Sequence, residues 1–470
     1  MLLNRGHSRV QRRARIDPGP ERGGDSVLAK GKRYSDTRAS RGLAPQLRRT
    51  LTAKNSDRFG APGRRNFKEA QLTKHRLMLS AAAAALSAAA FFPASLSPAL
   101  ADTTISSATS TILATSSSGN ISIDTGGSIN TKAAAPLITL NSNNFVLNQG
   151  NLIDDGTSGA SGMQIDTTAG NLFPASTGLA TNGLISLQGA GTSKIGILVT
   201  GGHTFYGPIS LSPGSSSVVN GSVVTTPAST MSLKGDGSSA IYIAQGTSVT
   251  SNILVGGSIS QLPSDKSTTG GGIVLDLDGT VNGSVLNSAA ITGIGNGIRG
   301  IYTAGGIHSC ASDTNAPSGF TCPTFSEGAL INSGSVSLAG ATIRKANGVN
   351  LESGSAMVIG GSVDGGVVNS GPGTSSALTA ATLLASGTLA APTVLIDPYQ
   401  SVNSSQTTPR GPVVIGPVPS TVDSTDPGFS FINRGTIQAA PTDSQVSSLA
   451  FAIRGNSTTN YTCLSAVVGS

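Results

Sequence analysis

Beyond residue 101, the chain alternates short apolar groups with polar turn residues. Residues 121–123, 137–140, 184–187 and 336–338 place Ser or Thr among Ile, Leu and Val, a pattern close to the two-residue period of strands with one buried face. No stretch repeats apolar residues at helical spacing over three turns. The best helix candidate, residues 377–391, contains Gly, Thr and Ser. The pattern therefore predicts an all-β body built from short strands.

Two short patterns recur along this body. The first, apolar-Asn-x-Gly-x-apolar, occupies residues 147–152, 331–336 and 432–437, and residues 286–291 repeat it with Ala in place of Gly. It predicts a strand, a sharp corner and a new strand, with Asn and Gly in left-handed backbone at the corner.

The second pattern is a small residue followed directly by an apolar residue, with a Gly five positions after the apolar residue. It occupies residues 196–202, 240–246, 300–306 and 348–354, and residues 272–279 form a version one residue longer. The spacing is too irregular for a propeller, and the strands are too short and too poor in aromatic residues for a sandwich.

These patterns predict a right-handed parallel β-helix, or solenoid, with loop insertions. At about 20–30 residues per coil, residues 102–470 would form about 12–18 coils. Ile197 and Ile241 open two of the repeats and are predicted to face inward. Leu198 and Tyr242 follow them and should face outward, because side chains alternate along a strand.

Charge divides the chain into two unlike parts. Charged residues make up 11% of the sequence, Gly numbers 61, and Trp is absent. Residues 1–101 carry 20 Lys or Arg and 6 Asp or Glu, whereas the remaining residues carry 10 and 17. The body is therefore acidic, which argues against nucleic-acid binding by residues 102–470.

The basic part divides again. Residues 1–73 have the composition of a disordered extension, or of sequence upstream of the true start codon, although an RNA-binding arm is an alternative. Residues 74–101 combine a positive patch, an apolar run and a small-x-small ending, which predicts a signal peptide cleaved between Ala101 and Asp102. A signal-anchor helix is the alternative.

The signal peptide and a body with strings such as Asp-Gly-Thr-Val-Asn-Gly-Ser-Val at residues 278–285 resemble the passenger region of a bacterial autotransporter. The resemblance covers about residues 75–470. It implies export through the periplasm to the cell surface or outside, a translocator β-barrel in the outer membrane as partner, and an unknown host or environmental ligand. No barrel segment follows the body, so we expect a C-terminal truncation or a barrel on another polypeptide.

The cysteines suggest one covalent feature. Cys310 and Cys322 bracket a loop without apolar periodicity, and in an exported chain we expect them to form a disulfide. Two free thiols are the alternative. Cys463 is then left without an assigned partner.

Catalytic, cofactor-binding and metal-binding residues are not predicted. His203 and His308 stand in no metal-ligand motif, and residues 154–156 are interpreted as a turn. The segment that contains Asp276 and Asp278 is either a turn or half of a calcium site. The sequence thus favours a non-enzymatic adhesin or display stalk. The alternative, a polysaccharide lyase or hydrolase on a β-helix, requires clustered carboxylates beside a basic residue.

Overall fold

The fold is known from a computed structural model. It describes residues 101–454 apart from 157–158, 175–176, 220–221, 264–270, 341–353, 371–380, 388–390, 399–410 and 442–447. The predicted basic extension, most of the signal peptide and Cys463 lie outside the described residues.

Three ten-stranded parallel sheets run side by side, and in each of them the strand order follows the chain order. The strands of sheet 1 are Thr103–Ile105, Ile121–Ile123, Val146–Asn148, Leu179–Thr181, Ile209–Leu211, Ile253–Val255, Val285–Asn287, Leu330–Asn332, Val367–Asn369 and Phe431–Asn433. Those of sheet 2 are Ala108–Thr109, Ser128–Thr131, Asn151–Asp154, Leu184–Leu187, Thr230–Lys234, Ser258–Leu262, Ala290–Ile294, Ser335–Ala339, Thr382–Gly387 and Thr436–Pro441. Those of sheet 3 are Leu113–Ala114, Ile138–Leu140, Ser161–Asp166, Ile195–Thr200, Ser239–Ile243, Ile273–Leu277, Arg299–Thr303, Met357–Ile359, Val394–Ile396 and Phe451–Ile453.

Each coil therefore contributes one strand to each sheet, and this is the predicted parallel β-helix. The described residues form ten coils, numbered here from 1 to 10 along the chain, fewer than the sequence suggested. Successive strands of sheet 1 begin between 18 and 64 residues apart, because loops inserted at the corners lengthen many coils.

Among the described residues, four smaller elements are added to the coils. Sheet 4 adds a short fourth side to coils 4–7, with strands Thr204–Phe205, Ser248–Thr250, Thr280–Asn282 and Ile307–His308. An antiparallel hairpin, Ser215–Val219 and Ser222–Thr226, projects from coil 5. The helical turns are Thr115–Ser118 and the 3₁₀ turn Cys310–Ser312. Within the described part of the chain, no helix is long and apolar enough to span a bilayer.

The interior is a continuous column of stacked aliphatic side chains. Ile197 and Ile241 are stacked in register and fully buried, whereas Leu198 and Tyr242 are partly exposed on the other face. The predicted inward and outward orientations of these four residues are confirmed. Within residues 377–391, the segment that was considered and dismissed as a helix, Thr382–Gly387 is a strand of sheet 2, in agreement with the predicted all-β body.

The first recurring pattern lies at the corner between sheets 1 and 2, as predicted, but its Asn and Gly residues do not adopt the predicted left-handed backbone. Outside glycine, the described residues adopt left-handed backbone only at Ser193 and Phe325, so the corner asparagines do not. The glycines serve close approach instead. A Cβ at Gly334 would stand 2.2 Å from the carbonyl oxygen of Ala289 one coil below.

Four asparagines of this corner, in coils 7–10, stack their side chains from coil to coil, and the last of them, Asn433, lies at the exposed end. Asn287 Nδ2 donates to Asn332 Oδ1, Asn332 Nδ2 to Asn369 Oδ1, and Asn369 Nδ2 to Asn433 Oδ1, each at 2.7 Å. We call this the asparagine ladder. Because each carboxamide both donates and accepts, the ladder satisfies buried polar groups from coil to coil.

The second pattern opens the strands of sheet 3 in coils 4, 5 and 7. Its closing glycines, Gly202, Gly246 and Gly306, have φ angles of 80°, 81° and 89°, so the left-handed backbone is found here. Most of residues 348–354 lies outside the described residues, and Ala356 and Met357 occupy the equivalent place in coil 8.

Candidate functional site

The outer face of sheet 1 departs from the alternation of buried and polar residues. Its middle strand positions are Ser210 in coil 5 and then, in register through coils 6–10, Leu254, Leu286, Ile331, Val368 and Ile432. We call these five aliphatic residues the outer column. Their sequence signal is two apolar residues in succession where the second should be polar, a signal that marks a strand covered on both faces.

A loop of the chain itself covers the upper half of the outer column. The cap loop, residues 416–430, places Val418 and Val422 against Val368 and Ile432. Val368 and Ile432 are consequently only 4% and 6% exposed.

An ionic clamp fastens the cap loop to coil 10. The Arg434 guanidinium donates to the carboxylates of Asp423 and Asp426. Burial alone would raise the pKa of Asp423, but hydrogen bonds from Arg434 and from the backbone N–H groups of Asp426 and Thr425 outweigh it and lower that pKa. The hydrogen bond from Arg434 to Asp423 raises the pKa of Arg434. Both partners therefore stay charged.

The lower end of the outer column is less covered. Ile331 still packs against the cluster of Val368, Val418 and Ile432, whereas Leu254 is 38% exposed and Leu286 is half-buried. Phe325 is 43% exposed and has a φ of 62°. The carbonyl before Phe325, that of Thr324, accepts a hydrogen bond from Asn252 Nδ2 at 2.8 Å, which holds this loop beside the strand that contains Leu254.

Phe325 belongs to the disulfide loop, residues 309–328, between coils 7 and 8. The structure joins Cys310 to Cys322 through their sulfur atoms, with the Cα atoms 5.8 Å apart. This places the two predicted cysteines together, at the base of a segment that folds back along the coils.

The disulfide loop docks on three earlier coils. Tyr206 of coil 4 donates its hydroxyl to Asn315 O at 3.0 Å, and its ring packs between Phe173 and Phe320. Thr250 of coil 5 donates to Asp313 Oδ2 at 2.7 Å. With the contact between Asn252 and Thr324 in coil 6, the loop ties coils 4–7 together.

Charged groups also lie inside coils 3 and 4. The side chains of Asp154 and Lys194 are fully buried. Asp154 Oδ1 accepts from Gly156 N at 2.6 Å, while Asp154 Oδ2 has no hydrogen-bond partner, and Lys194 Nζ donates to Gly189 O. Burial raises the pKa of Asp154 and lowers that of Lys194, and their mutual attraction partly opposes both shifts. The interpretation of residues 154–156 as a turn did not anticipate that Asp154 ends a strand and is buried, and no sequence pattern pointed to the burial of Lys194.

The remaining predicted residues are scattered. Asp276 lies within a strand of sheet 3 rather than in a turn, and Asp278 follows the end of that strand. His203 is exposed, and His308 Nδ1 lies 3.1 Å from Asp364 Oδ2 on the surface. No three His, Cys, Asp or Glu side chains among the residues described here come together as a metal site.

The predicted cleavage site lies at the start of the coils. Ala101 and Asp102 are exposed, and Thr103 begins the first strand of sheet 1. Asp102 Oδ1 accepts hydrogen bonds from the backbone and side-chain nitrogens of Asn120. A chain that begins at Asp102 would retain this link to coil 2.

Comparison with known proteins adds no relative. No family model, no curated protein and no solved structure matches the chain.

Proposed function

We propose that the protein is an exported β-helical protein of the bacterial cell surface, of the autotransporter-passenger type, that acts in adhesion or as a display stalk. The observation that carries the proposal is the arrangement at the start of the coils. The first strand begins at Thr103, directly after the predicted cleavage site, so removal of residues 1–101 would leave every described strand intact.

The disulfide supports export as well. A bond between Cys310 and Cys322 persists in the periplasm or outside the cell, whereas the cytosol keeps thiols reduced. The loop that it closes is a surface insertion that contributes no strand to the coils, as expected for a module that can vary while the scaffold is kept.

The shape of the scaffold supports adhesion over catalysis. Ten stacked coils at about 4.8 Å each form a column roughly 45 Å long, with insertions on its sides. Such a scaffold offers an extended contact surface, which many weak contacts can use together.

Export is tested by expressing the full chain in a Gram-negative host and analysing the exported fraction by mass spectrometry. We expect Asp102 as the new N-terminus and, in a non-reducing peptide map, Cys310 linked to Cys322. Exported protein that retains residues 1–70, or that carries both cysteines as free thiols, would contradict the export model.

Adhesion is tested with beads coated with the purified exported protein. We expect such beads to attach to host cells or to extracellular matrix more than beads coated with a β-helical control protein. Release of soluble oligosaccharides from a polysaccharide, without attachment, would favour the lyase or hydrolase alternative.

A further inference from the structure

We propose that two copies of the chain associate through the hairpin of coil 5, whose first strands pair edge to edge in a four-stranded antiparallel sheet. The hairpin consists of Ser215–Val219 and Ser222–Thr226. We call the side of Ser215–Val219 that faces away from the second strand the hairpin edge. This inference goes beyond the proposed function and does not depend on it, because it concerns contacts between copies of the chain rather than attachment to a ligand.

The hairpin projects from a fixed base. It is inserted between Ile209–Leu211 of sheet 1 and Thr230–Lys234 of sheet 2. Ser229 donates its backbone N–H to Ser212 O at 2.9 Å, and its hydroxyl lies 3.1 Å from the carbonyl oxygens of Ser212 and of Gly256 in coil 6. These contacts close the base of the hairpin and attach it to the coils.

The hairpin edge carries backbone groups that the hairpin itself does not use. The strands pair in register up to Val219 and Ser222, across a connection of two residues. So short a connection makes Val219 and Ser222 a hydrogen-bonded pair, and such pairs alternate along an antiparallel ladder. The N–H and C=O groups of Ser216 and Val218 therefore point away from the second strand. In the described part of the chain, the hairpin forms a sheet of two strands, with no third strand beside it.

The sequence of the hairpin lacks the features that usually protect such an edge. Exposed strand edges commonly carry charged side chains, lysine above all, which oppose pairing with another chain. No Asp, Glu, Lys or Arg occurs from residue 195 to residue 233, and Ser215, Ser216 and Ser217 are exposed. Pro213 stands before the first strand rather than within it. A strand without charge can pair with an identical strand, since no like charges are brought together.

A second copy matches the hairpin edge because the edge is complementary to itself. With a two-fold axis through Ser217, Ser216 of one copy lies opposite Val218 of the other, and both such pairs can exchange backbone hydrogen bonds. The register within the hairpin shows that strands of this composition pair antiparallel. A sheet of two strands is marginally stable in water, and additional strands stabilise it. Association thus supplies the neighbour that the isolated hairpin lacks.

The contact is small. Two hydrogen-bonded pairs between short strands place it at the weak end of protein interfaces. We therefore expect dimers at a protein concentration of about 100 µM, or where many copies are held side by side on one surface.

Sedimentation velocity of the purified protein, at concentrations up to about 100 µM, measures the association. We expect a monomer–dimer equilibrium. Ser216→Pro removes an N–H group that the hairpin does not use and places a ring at the hairpin edge, so it should weaken dimerisation by about tenfold or more. The matched control is Thr225→Pro, which removes the corresponding N–H group on the opposite edge, since Ser216 pairs with Thr225. It should dimerise like the wild type.

An exchange of charge at the two-fold axis tests the register without removing a backbone group. Ser217→Lys and Ser217→Glu should each remain monomeric, because like charges would face each other across the axis. Mixed in equal amounts, the two variants should form a dimer that neither forms alone, which sedimentation velocity detects. Circular dichroism and urea unfolding check that all four variants fold.

Several results would overturn the inference. Wild-type protein that stays monomeric up to about 100 µM would exclude the dimer. A dimer that dissociates in Thr225→Pro but not in Ser216→Pro would assign the contact to the opposite edge. Dimers of Ser217→Lys alone would place the contact elsewhere on the chain. If both proline variants are monomeric, absence of the mixed dimer would exclude pairing at Ser217. None of these results changes the expectations for export and adhesion, which have separate tests.

Discussion

Coils 3–4 and coils 7–10 both bury polar side chains, but they satisfy them in different ways. The asparagine ladder joins Asn287, Asn332, Asn369 and Asn433 through equivalent hydrogen bonds of 2.7 Å. Asp154 and Lys194 instead have backbone partners, and one carboxylate oxygen has none.

The difference follows from the chemistry of the groups. A carboxamide is both donor and acceptor, so identical residues complement one another and the ladder can extend over several coils. A charge in a dry interior needs an opposite charge, and the desolvation of both opposes the gain. A repeated coil can therefore propagate asparagine, whereas an ionic pair remains local to the coils that contain it.

The largest effect is expected where the interior is purely aliphatic. Ile241→Asp in coil 5 places a charge between Ile197 and Leu275 of the neighbouring coils and should destabilise the fold by more than about 4 kcal/mol, because the stacked interior at this position is aliphatic. Tyr242→Asp, on the outer face, should change stability by less than about 1 kcal/mol. Urea unfolding measures both, and equal sensitivity at the two positions would contradict the inward and outward assignments.

The two buried charges, Asp154 and Lys194, attract each other without a direct hydrogen bond, and together they should stabilise the fold less than their burial suggests. Lys194→Met removes the counter-charge of Asp154 and should cost about 3 kcal/mol at neutral pH. Combining it with Asp154→Leu should restore stability to within about 1 kcal/mol, because Leu187 already occupies the neighbouring position in register. Unfolding in urea tests this, and a double variant less stable than Lys194→Met would contradict it.

The stability of Lys194→Met should also depend on pH. Burial raises the pKa of Asp154 in the folded protein, so the folded state binds its proton more readily than the unfolded state. The stability of Lys194→Met should therefore rise as the pH falls from neutral towards the ordinary carboxyl range, about 4. The double variant, which lacks the carboxyl, should not show this rise.

The loss of stability on replacing an asparagine of the ladder by alanine should depend on its position in the ladder. Asn332→Ala leaves Asn287 without its acceptor and Asn369 without its donor, and should cost about 2 kcal/mol. Asn433→Ala at the exposed end of the ladder should cost less than about 1 kcal/mol. Equal losses in urea unfolding at the two positions would show that the ladder does not act through its buried hydrogen bonds.

The smallest effect is expected at the surface clamp. The lowered pKa of Asp423 means that its contribution is present above the ordinary carboxyl pKa and is lost as the pH falls from about 4 through the lowered value. The protection of residues 416–430 against hydrogen exchange, corrected for the pH dependence of intrinsic amide exchange, should therefore fall in acid, and Asp423→Asn should show that lower protection already at neutral pH. The strand Ser239–Ile243 of coil 5, whose inward side chains Ile241 and Ile243 are aliphatic, serves as the internal reference.

Much of the fold could be predicted from local pattern. Alternation placed Ile197 and Ile241 inside, and the corner repeats located the joins between strands, because each coil repeats one local solution. The number of coils could not be predicted, since insertions such as the disulfide loop lengthen coils without a periodic signal. From the sequence, the corner asparagines were expected to serve the backbone geometry of the corner. Their side-chain ladder could not be predicted, because it depends on the register between coils.

The residues of the candidate site could be predicted only in part from local sequence pattern. The sequence suggested the pair Cys310 and Cys322 because these two cysteines bracket a short loop without apolar periodicity. The sequence also contained a signal for the outer column, namely two successive apolar residues in several strands. That signal alone does not show which segment of the chain covers the outer face. The sequence contained no signal that Lys194 is buried, because its burial and its electrostatic attraction to Asp154 depend on how the coils stack.

The disulfide loop also affects how the protein bears force. A β-helix pulled from its C-terminal end would peel one coil at a time, since each coil contacts its neighbours. At coil 7, however, the loop is attached to coil 4 through Tyr206 and Asn315, 109 residues apart in sequence. Peeling must stop there until contacts to coils 4, 5 and 6 break together. The loop thus acts as a mechanical stop against the unwinding of coils 4–7.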